Sequence, residues 1–344
     1  MLKKTVFGKL QTNDVFSYII TNKNGASIEI LNLGGIINRL TLPTKSGQMI
    51  DIVLGQDFLE NYTHPTSFIG GIVGRNSNRI ANGSFNLNGA KIKLETGEDG
   101  HNLHSGSGCY LKKIFLVKEI DESSIMLKHL DQGEGGFSGS VEVSVKITFN
   151  CQNQLILEYS ALPYEDTIIN LTHHVYFNLN GHLSSLKNHS FQITADNYTP
   201  VSLDGIPTGE IKPVKNTAFD FTTPKLLDLS LLKNAKELSS RSGYDHNFCL
   251  NSGKDFSVAS TVCSLETGLK LTCLTDQPGL QLYTGNFIVP NTPAKGDGFY
   301  GPYSGFCLET QNYPDAINQP LFPSPIYREG QEYLTKTIYE FSYE

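Results

Sequence analysis

Between residues 141 and 149 the chain alternates without a break: Val141, Val143, Val145, Ile147 and Phe149 are apolar, and every residue between them is polar. A period of two belongs to a strand with one buried face. Leu155, Leu157 and Tyr159 repeat it after the polar turn around Gln152-Asn153, so the two segments are expected as a half-buried antiparallel hairpin. The same grammar opens the chain. Ser17-Tyr18-Ile19-Ile20-Thr21 and Ala26-Ser27-Ile28-Glu29-Ile30 flank Asn24-Gly25, while Phe85-Asn86-Leu87 and Lys91-Ile92-Lys93-Leu94 flank Asn88-Gly89. Asn-Gly accepts the positive φ angles of a tight hairpin turn. Helical periodicity is weak, and the two stretches that show it, Asp57 to Tyr62 and Leu226 to Leu238, are short. Short strands, Gly-rich turns and few helices predict an all-β protein, a large antiparallel β-sandwich with few short helices.

A chain of 344 residues has room for one large all-β domain or two ordinary ones. No linker-like stretch divides it, so residues 1–344 are expected to form a single domain. Hydrophobic residues at 39% and charged residues at 18% describe an ordinary globular protein. A formal net charge of -7 with scattered basic residues gives no reason to expect nucleic acid or an anionic membrane as partner. Met1-Leu2-Lys3-Lys4 begins like an export signal, yet the chain turns polar by Gln11-Thr12-Asn13-Asp14 without an apolar h-region, and no apolar run reaches membrane-spanning length. The six cysteines form no Cys-x-x-Cys pair and mostly lie in apolar, strand-like runs. They are expected to be reduced and buried in a cytoplasmic protein.

Candidate chemistry concentrates late in the chain. Phe306-Cys307-Leu308 reads as a buried strand running into Glu309, and Pro314, Pro320, Pro323 and Pro325 then stop regular structure. A half-buried carboxylate there has its pKa raised toward neutrality, which suits a proton acceptor; a solvated or lysine-paired glutamate is the plainer alternative. In Ile169 to Leu179, alternation puts His174 and Tyr176 on a polar face with Thr172 and Asn178, opposite Leu171, His173, Val175, Phe177 and Leu179. A histidine with its reference pKa near 6.5 gives or takes protons at physiological pH. Gly70 to Gly83 carries Arg75, Arg79 and three asparagines among clustered glycines, as a ligand-holding loop or a plain surface turn would. His101 and His104 share a glycine-rich loop with no cysteine or carboxylate at metal-site spacing, so a loop histidine that hydrogen-bonds a substrate hydroxyl suits the pattern better than metal ligation, with solvated loop histidines as the plainer alternative. Asp245 and His246 precede an apolar strand, and Gln281 shares a face with Tyr283.

Taken in order, NRIANGSF at Asn78, NLHSG at Asn102, NLTHHVYFNL at Asn170, GYDHNFCL at Gly243, QPGLQLYTGNF at Gln277 and GFCLETQNYPDAINQP at Gly305 closely resemble the aldose 1-epimerase (galactose mutarotase) family. The resemblance implies a β-supersandwich with an open sugar groove on one sheet. It implies an isomerase that interconverts the α and β anomers of free hexoses such as galactose and glucose, as a monomer or homodimer, without metal or other cofactor. It implies Glu309 as general base, His174 as general acid entering as imidazolium, and Asn78, Arg79, His104, Tyr176, Asp245 and Gln281 as sugar-binding residues. Two departures stand out: Ser105 where many relatives carry Gly, and His173 and Val175 where Asn and Ser are usual. Alternation points His173 and Val175 away from the groove. The rival readings are a glycoside hydrolase using Glu309 with Asp245, a sugar-phosphate epimerase using Arg75 and Arg79 as a phosphate clamp, and a sugar sensor without catalysis.

Overall fold

The structure, a computed structural model, describes residues 1–63, 68–228, 230 and 238–343. Its strands form three main sheets. An amino-terminal sheet runs in chain order through Leu2–Leu10, Asn13–Thr21, Ser27–Leu31, Ile37–Pro43 and Met49–Asp51. A nine-stranded sheet begins with Leu116–Asp121, Ser124–Asp131, Val141–Phe149 and Gln154–Pro163, continues through the carboxy-terminal strand Tyr333–Tyr343, and ends at Lys225–Leu226. A third sheet joins Lys212–Pro213, Asn197–Thr199, Asp245–Cys249, Gly279–Tyr283 and Cys307–Gln311. All pairings within these sheets are antiparallel.

The alternation read from the sequence becomes the packing. Val141, Val143, Val145, Ile147 and Phe149 are buried, and this strand pairs with Gln154–Pro163 in the register Val145↔Tyr159. Their side chains join one continuous core with Ile20, Ile28 and Leu40 of the amino-terminal sheet and Phe248, Leu280 and Leu308 of the third. Sheet therefore lies on sheet, each burying one face against the other, the arrangement of a β-sandwich. Polar ties cross the same interface: the Tyr339 hydroxyl donates to the Leu308 carbonyl at 2.7 Å. Both Asn-Gly hairpins form, with Gly25 and Gly89 at positive φ.

The helix expected over Asp57 to Tyr62 is reduced to one turn, Glu60–Thr63, because the Asp57 carboxylate is held by Arg39 and by the Gly296 amide. Most of the stretch Leu226 to Leu238 lies outside the described residues. The alternating stretch Ile169 to Leu179 is not one ladder. Only Thr172–His173 pairs as a strand, with Ile72–Val73, and Phe177 makes isolated bridges to Val53 and Phe306. Its parity still delivers His174 and Tyr176 to one cavity, whereas Asn178 turns away and donates to the Ser184 and Ser304 carbonyls. None of the six cysteines forms a disulfide; Cys151 is exposed and Cys263 half-buried, the other four buried.

Candidate active site

Three adjacent strands of the third sheet build the floor. Asp245–Cys249, Gly279–Tyr283 and Cys307–Gln311 pair in the rows Asp245↔Tyr283↔Cys307 and Asn247↔Gln281↔Glu309. Side chains alternate along a strand, so this face is polar while Phe248, Leu280, Leu282 and Leu308 enter the core from the other. Above the floor is a cavity of about 280 Å³, close to the lower end of the ~300–1,000 Å³ typical of small-molecule sites. Glu309, His174, Tyr176, Asp245, Asn78, Arg79 and His104 all line it. Gln281 does not. Its amide lies beneath, donating to Asp245 Oδ1 at 2.8 Å.

Glu309 and His174 face each other with Oε1 and Nε2 3.8 Å apart, both almost wholly buried. Burial, reinforced by the Asp245 charge and opposed by Arg79, raises the Glu309 carboxyl well above the usual range. Burial lowers His174 to about 4. The sequence expectation of an imidazolium at neutral pH is corrected here. In the free cavity both partners favour their neutral forms, so the pair carries one proton and burial leaves it on Glu309. The His174 ring is gripped by Tyr176 at 4.9 Å between centroids, Tyr283 at 5.9 Å and His104 at 5.6 Å. The flanking residues point away, as alternation required: Val175 enters the core, and His173 Nε2 reaches the Gly35 carbonyl at 3.1 Å.

Asp245 behaves oppositely to Glu309. Burial works to raise its pKa, yet the Arg241 and Arg79 charges and hydrogen bonds from Arg241 and Gln281 bring it down to about 2. Arg241 grips Oδ2 with Nε at 3.1 Å and Nη2 at 2.7 Å. One carboxylate is thus fixed as an anion and the other held near its protonated form, the asymmetry that separates a binding group from a proton-transfer group. Glycosidase chemistry, which needs both carboxyls at the scissile bond, finds no support in a carboxylate so fully engaged.

His104 stacks edge-on against Phe68 and accepts the Asn78 amide hydrogen on Nδ1 at 3.0 Å. Burial holds it neutral, so its own proton sits on Nε2 and the ring is a donor there. This bears on metal binding. One ligand atom each from His104, His174 and Glu309 lie within 4.8 Å of one another, but a histidine whose Nδ1 accepts and whose Nε2 bears hydrogen offers no free lone pair. The three residues fit a polar organic ligand better than a metal. Buried polar atoms without partners support that: Glu309 Oε2, Gln281 Oε1 and Arg79 Nε each have unmet hydrogen-bonding capacity, and a ligand dense in hydroxyls supplies both donors and acceptors.

Arg75 and Arg79, neighbours in sequence, part company. Arg79 lines the cavity, whereas Arg75 is spent on Asp131 at 2.8 Å and on the Ser138 and Gly139 carbonyls. A phosphate clamp made of both is therefore not formed. His101 also faces elsewhere, with Nε2 2.9 Å from the Asp204 carboxylate. The Ser105 hydroxyl is buried; it accepts the Asn76 amide hydrogen at 2.9 Å and donates to the Asn76 carbonyl.

Several lining residues escaped sequence reasoning. Arg241 precedes Asp245 by four residues and stands over Phe287 with 4.9 Å between guanidinium carbon and ring centroid; that spacing was its only signal. Tyr283 was legible from its parity with Gln281. Phe287 closes the QPGLQLYTGNF motif beyond the end of its strand at Tyr283, and Phe68 comes from an irregular segment that left no signal. Cys307, in the row with Asp245 and Tyr283, places Sγ 3.3 Å from His174 Nδ1.

A family profile described as aldose 1-epimerase matches residues 17–340. Human galactose mutarotase is 37% identical over 92% of this chain and 91% of its own. The aldose 1-epimerase of Haemophilus influenzae is 34% identical over 99% of this chain and 100% of its own. Among solved structures, a Caenorhabditis elegans aldose epimerase homologue superposes with a TM-score of 0.86 at 27% identity, covering 95% of this chain and 99% of that one. A galactose 1-epimerase from Lactobacillus acidophilus shares the fold at a TM-score of 0.87 and 22% identity, covering 100% and 99%.

Proposed function

The chain belongs to the aldose 1-epimerase family, and from that premise we propose that Glu309 and His174 are the proton-transfer pair of a mutarotase. The enzyme is an isomerase that interconverts the α and β anomers of free aldoses. Galactose and glucose are its first candidate substrates. Ring opening takes the proton from the anomeric hydroxyl and gives one to the ring oxygen; the aldehyde then rotates and recloses on its other face. Glu309 takes the hydroxyl proton and His174 Nε2 delivers the other. The proton His174 delivers is the one that burial otherwise leaves on Glu309. Both arrangements of that proton have the same net charge. A sugar whose anomeric hydroxyl donates to Glu309, and whose ring oxygen accepts from His174, therefore selects the reactive one without any change of pH.

The observation that carries this reading is the buried Glu309–His174 pair at 3.8 Å, placed beside a carboxylate held firmly ionised. Asp245, Arg79, Asn78, Tyr176 and the His104 Nε2–H hold the remaining hydroxyls. Gln281 acts from beneath by orienting Asp245. The core that runs through all three sheets supports a single domain, and six cysteines outside any disulfide suit the reducing cytoplasm. No helix among the described residues is long and apolar enough to cross a membrane. Polarimetry on freshly dissolved α-D-galactose and α-D-glucose tests the function. The parent protein should accelerate the decay of rotation and His174→Asn should not; equal acceleration by both removes His174 from the chemistry.

A further inference from the structure

Resting on the reading of His174 as the acid, we infer that Cys307 is a positioning residue whose sulfur holds the His174 Nδ1–H, reserving Nε2 for the travelling proton. His174 has two ring nitrogens, and a different side chain stands close to each. Nε2 lies 3.8 Å from Glu309 Oε1, and Nδ1 lies 3.3 Å from Cys307 Sγ, within reach of a sulfur hydrogen bond. To receive a proton from Glu309 and pass it to a ring oxygen, Nε2 must be bare when the ring is neutral. The single hydrogen must then stay on Nδ1 throughout. Sulfur is the side-chain atom placed to accept it there.

Cys307 is fully buried and fixed by its strand pairing to Tyr283. Burial and the nearby Glu309 and Asp245 carboxyls push its thiol pKa well up, so it stays uncharged. That weakness as an acceptor matters. A carboxylate behind the ring would stabilise imidazolium and hold the proton. A neutral sulfur orients the ring and leaves the proton labile. The other groups facing the ring are Glu309, Asp245, His104, Tyr176, Tyr283 and the residue's own main-chain carbonyl. Among their side chains, those of His104 and the tyrosines are held neutral by burial, and Asp245 is already matched by Arg241.

The test compares Cys307→Ala and Cys307→Ser with the parent in turnover and in the nitrogen-15 spectrum of His174. Expected for the parent is the Nδ1–H tautomer. Cys307→Ala should lose it in part and lower kcat about 5- to 10-fold, the size of one modest hydrogen bond, with KM unchanged within about 2-fold. Cys307→Ser, which restores an acceptor, should recover the tautomer and most of the rate. Parental kcat and tautomer in Cys307→Ala overturn the inference. Equal losses in both variants with a lowered melting temperature also overturn it, since they report packing. His174→Asn, run alongside, separates the two failures: if it retains turnover, the acid assignment falls; if it is inactive while Cys307→Ala is normal, only the positioning role falls.

Discussion

Replacing Arg75 by methionine distinguishes an arginine that supports the fold from one that holds a ligand. Its guanidinium is buried and donates to Asp131 Oδ2 at 2.8 Å, the Ser138 carbonyl at 2.7 Å, the Gly139 carbonyl at 2.9 Å and Thr167 Oγ1 at 3.2 Å. Methionine keeps much of the volume and loses every one of these. Asp131 is then left buried with the Tyr110 hydroxyl at 2.8 Å and the Gly133 and Glu134 amides as its remaining donors. Removing one partner of a buried ion pair costs about 3–5 kcal/mol, because the survivor is an uncompensated charge. Urea unfolding at pH 7 should show a loss of that order, while kcat/KM of the folded fraction stays within about 2-fold of the parent. Adding Asp131→Leu removes the uncompensated charge and should recover part of the loss; the Ser138 and Gly139 carbonyls remain without donors, and the Tyr110 hydroxyl and the Gly133 and Glu134 amides lose their acceptor, which accounts for the rest. A loss below about 1 kcal/mol, or a tenfold rise in KM with stability intact, would refute the reasoning and return Arg75 to the sugar site.

The remaining predictions concern protons, metal and the clamp on Asp245. With reference pKa values of ~4.3 and ~6.5, a Glu base and an imidazolium acid would give a bell peaking near pH ~5.4. In the buried pair the acid limb belongs to His174, which would accept a second proton at about pH 4, and the alkaline limb to Glu309, whose carboxyl burial raises well above its usual range, so the alkaline fall of kcat/KM should not follow the ~6.5 of a free imidazole. His173, His189 and His246 are also lowered to about 4 by burial. The unfolded chain then binds more protons between about pH 4 and 6.5, so stability is full above that window and falls as pH drops through it, by up to ~1.4 kcal/mol per pH unit for each histidine; a flat urea midpoint from pH 7 to 5 would contradict this. Gln281→Leu should raise KM more than it lowers kcat, because Asp245 loses an orienting donor. Dialysis against a metal chelator should leave turnover unchanged, and a loss restored by a divalent ion would mean that His104 binds through Nε2 after all.

Strands and site were legible to different depths. Alternation in Val141 to Phe149 forced one face into the core whatever surrounded it, and the parity of Gln281 with Tyr283 ranked side chains on one sheet face. Parity also sent His173 and Val175 inward. Sequence could not say which strands become neighbours, and the pairing of Glu309 opposite Gln281 and Asp245 opposite Tyr283 is what turns separate motifs into a site. Protonation was the least legible feature. The His174 value depends on how completely Tyr176, Tyr283 and His104 exclude solvent, which emerges only from packing. Arg75 and Arg79, four residues apart, looked like one cluster and serve different neighbours, because Asp131 arrives from a distant strand to claim the first.

The central claim is that Glu309 takes the anomeric proton, and Glu309→Gln tests it most directly by keeping shape while removing the base. Polarimetry on α-D-galactose and α-D-glucose in a weakly catalytic buffer, with sugar binding measured in parallel, should show acceleration by the parent alone. The variant should bind sugar and lose about 10²–10⁴-fold in rate. A variant that binds sugar and still turns it over at near the parental rate would contradict the account.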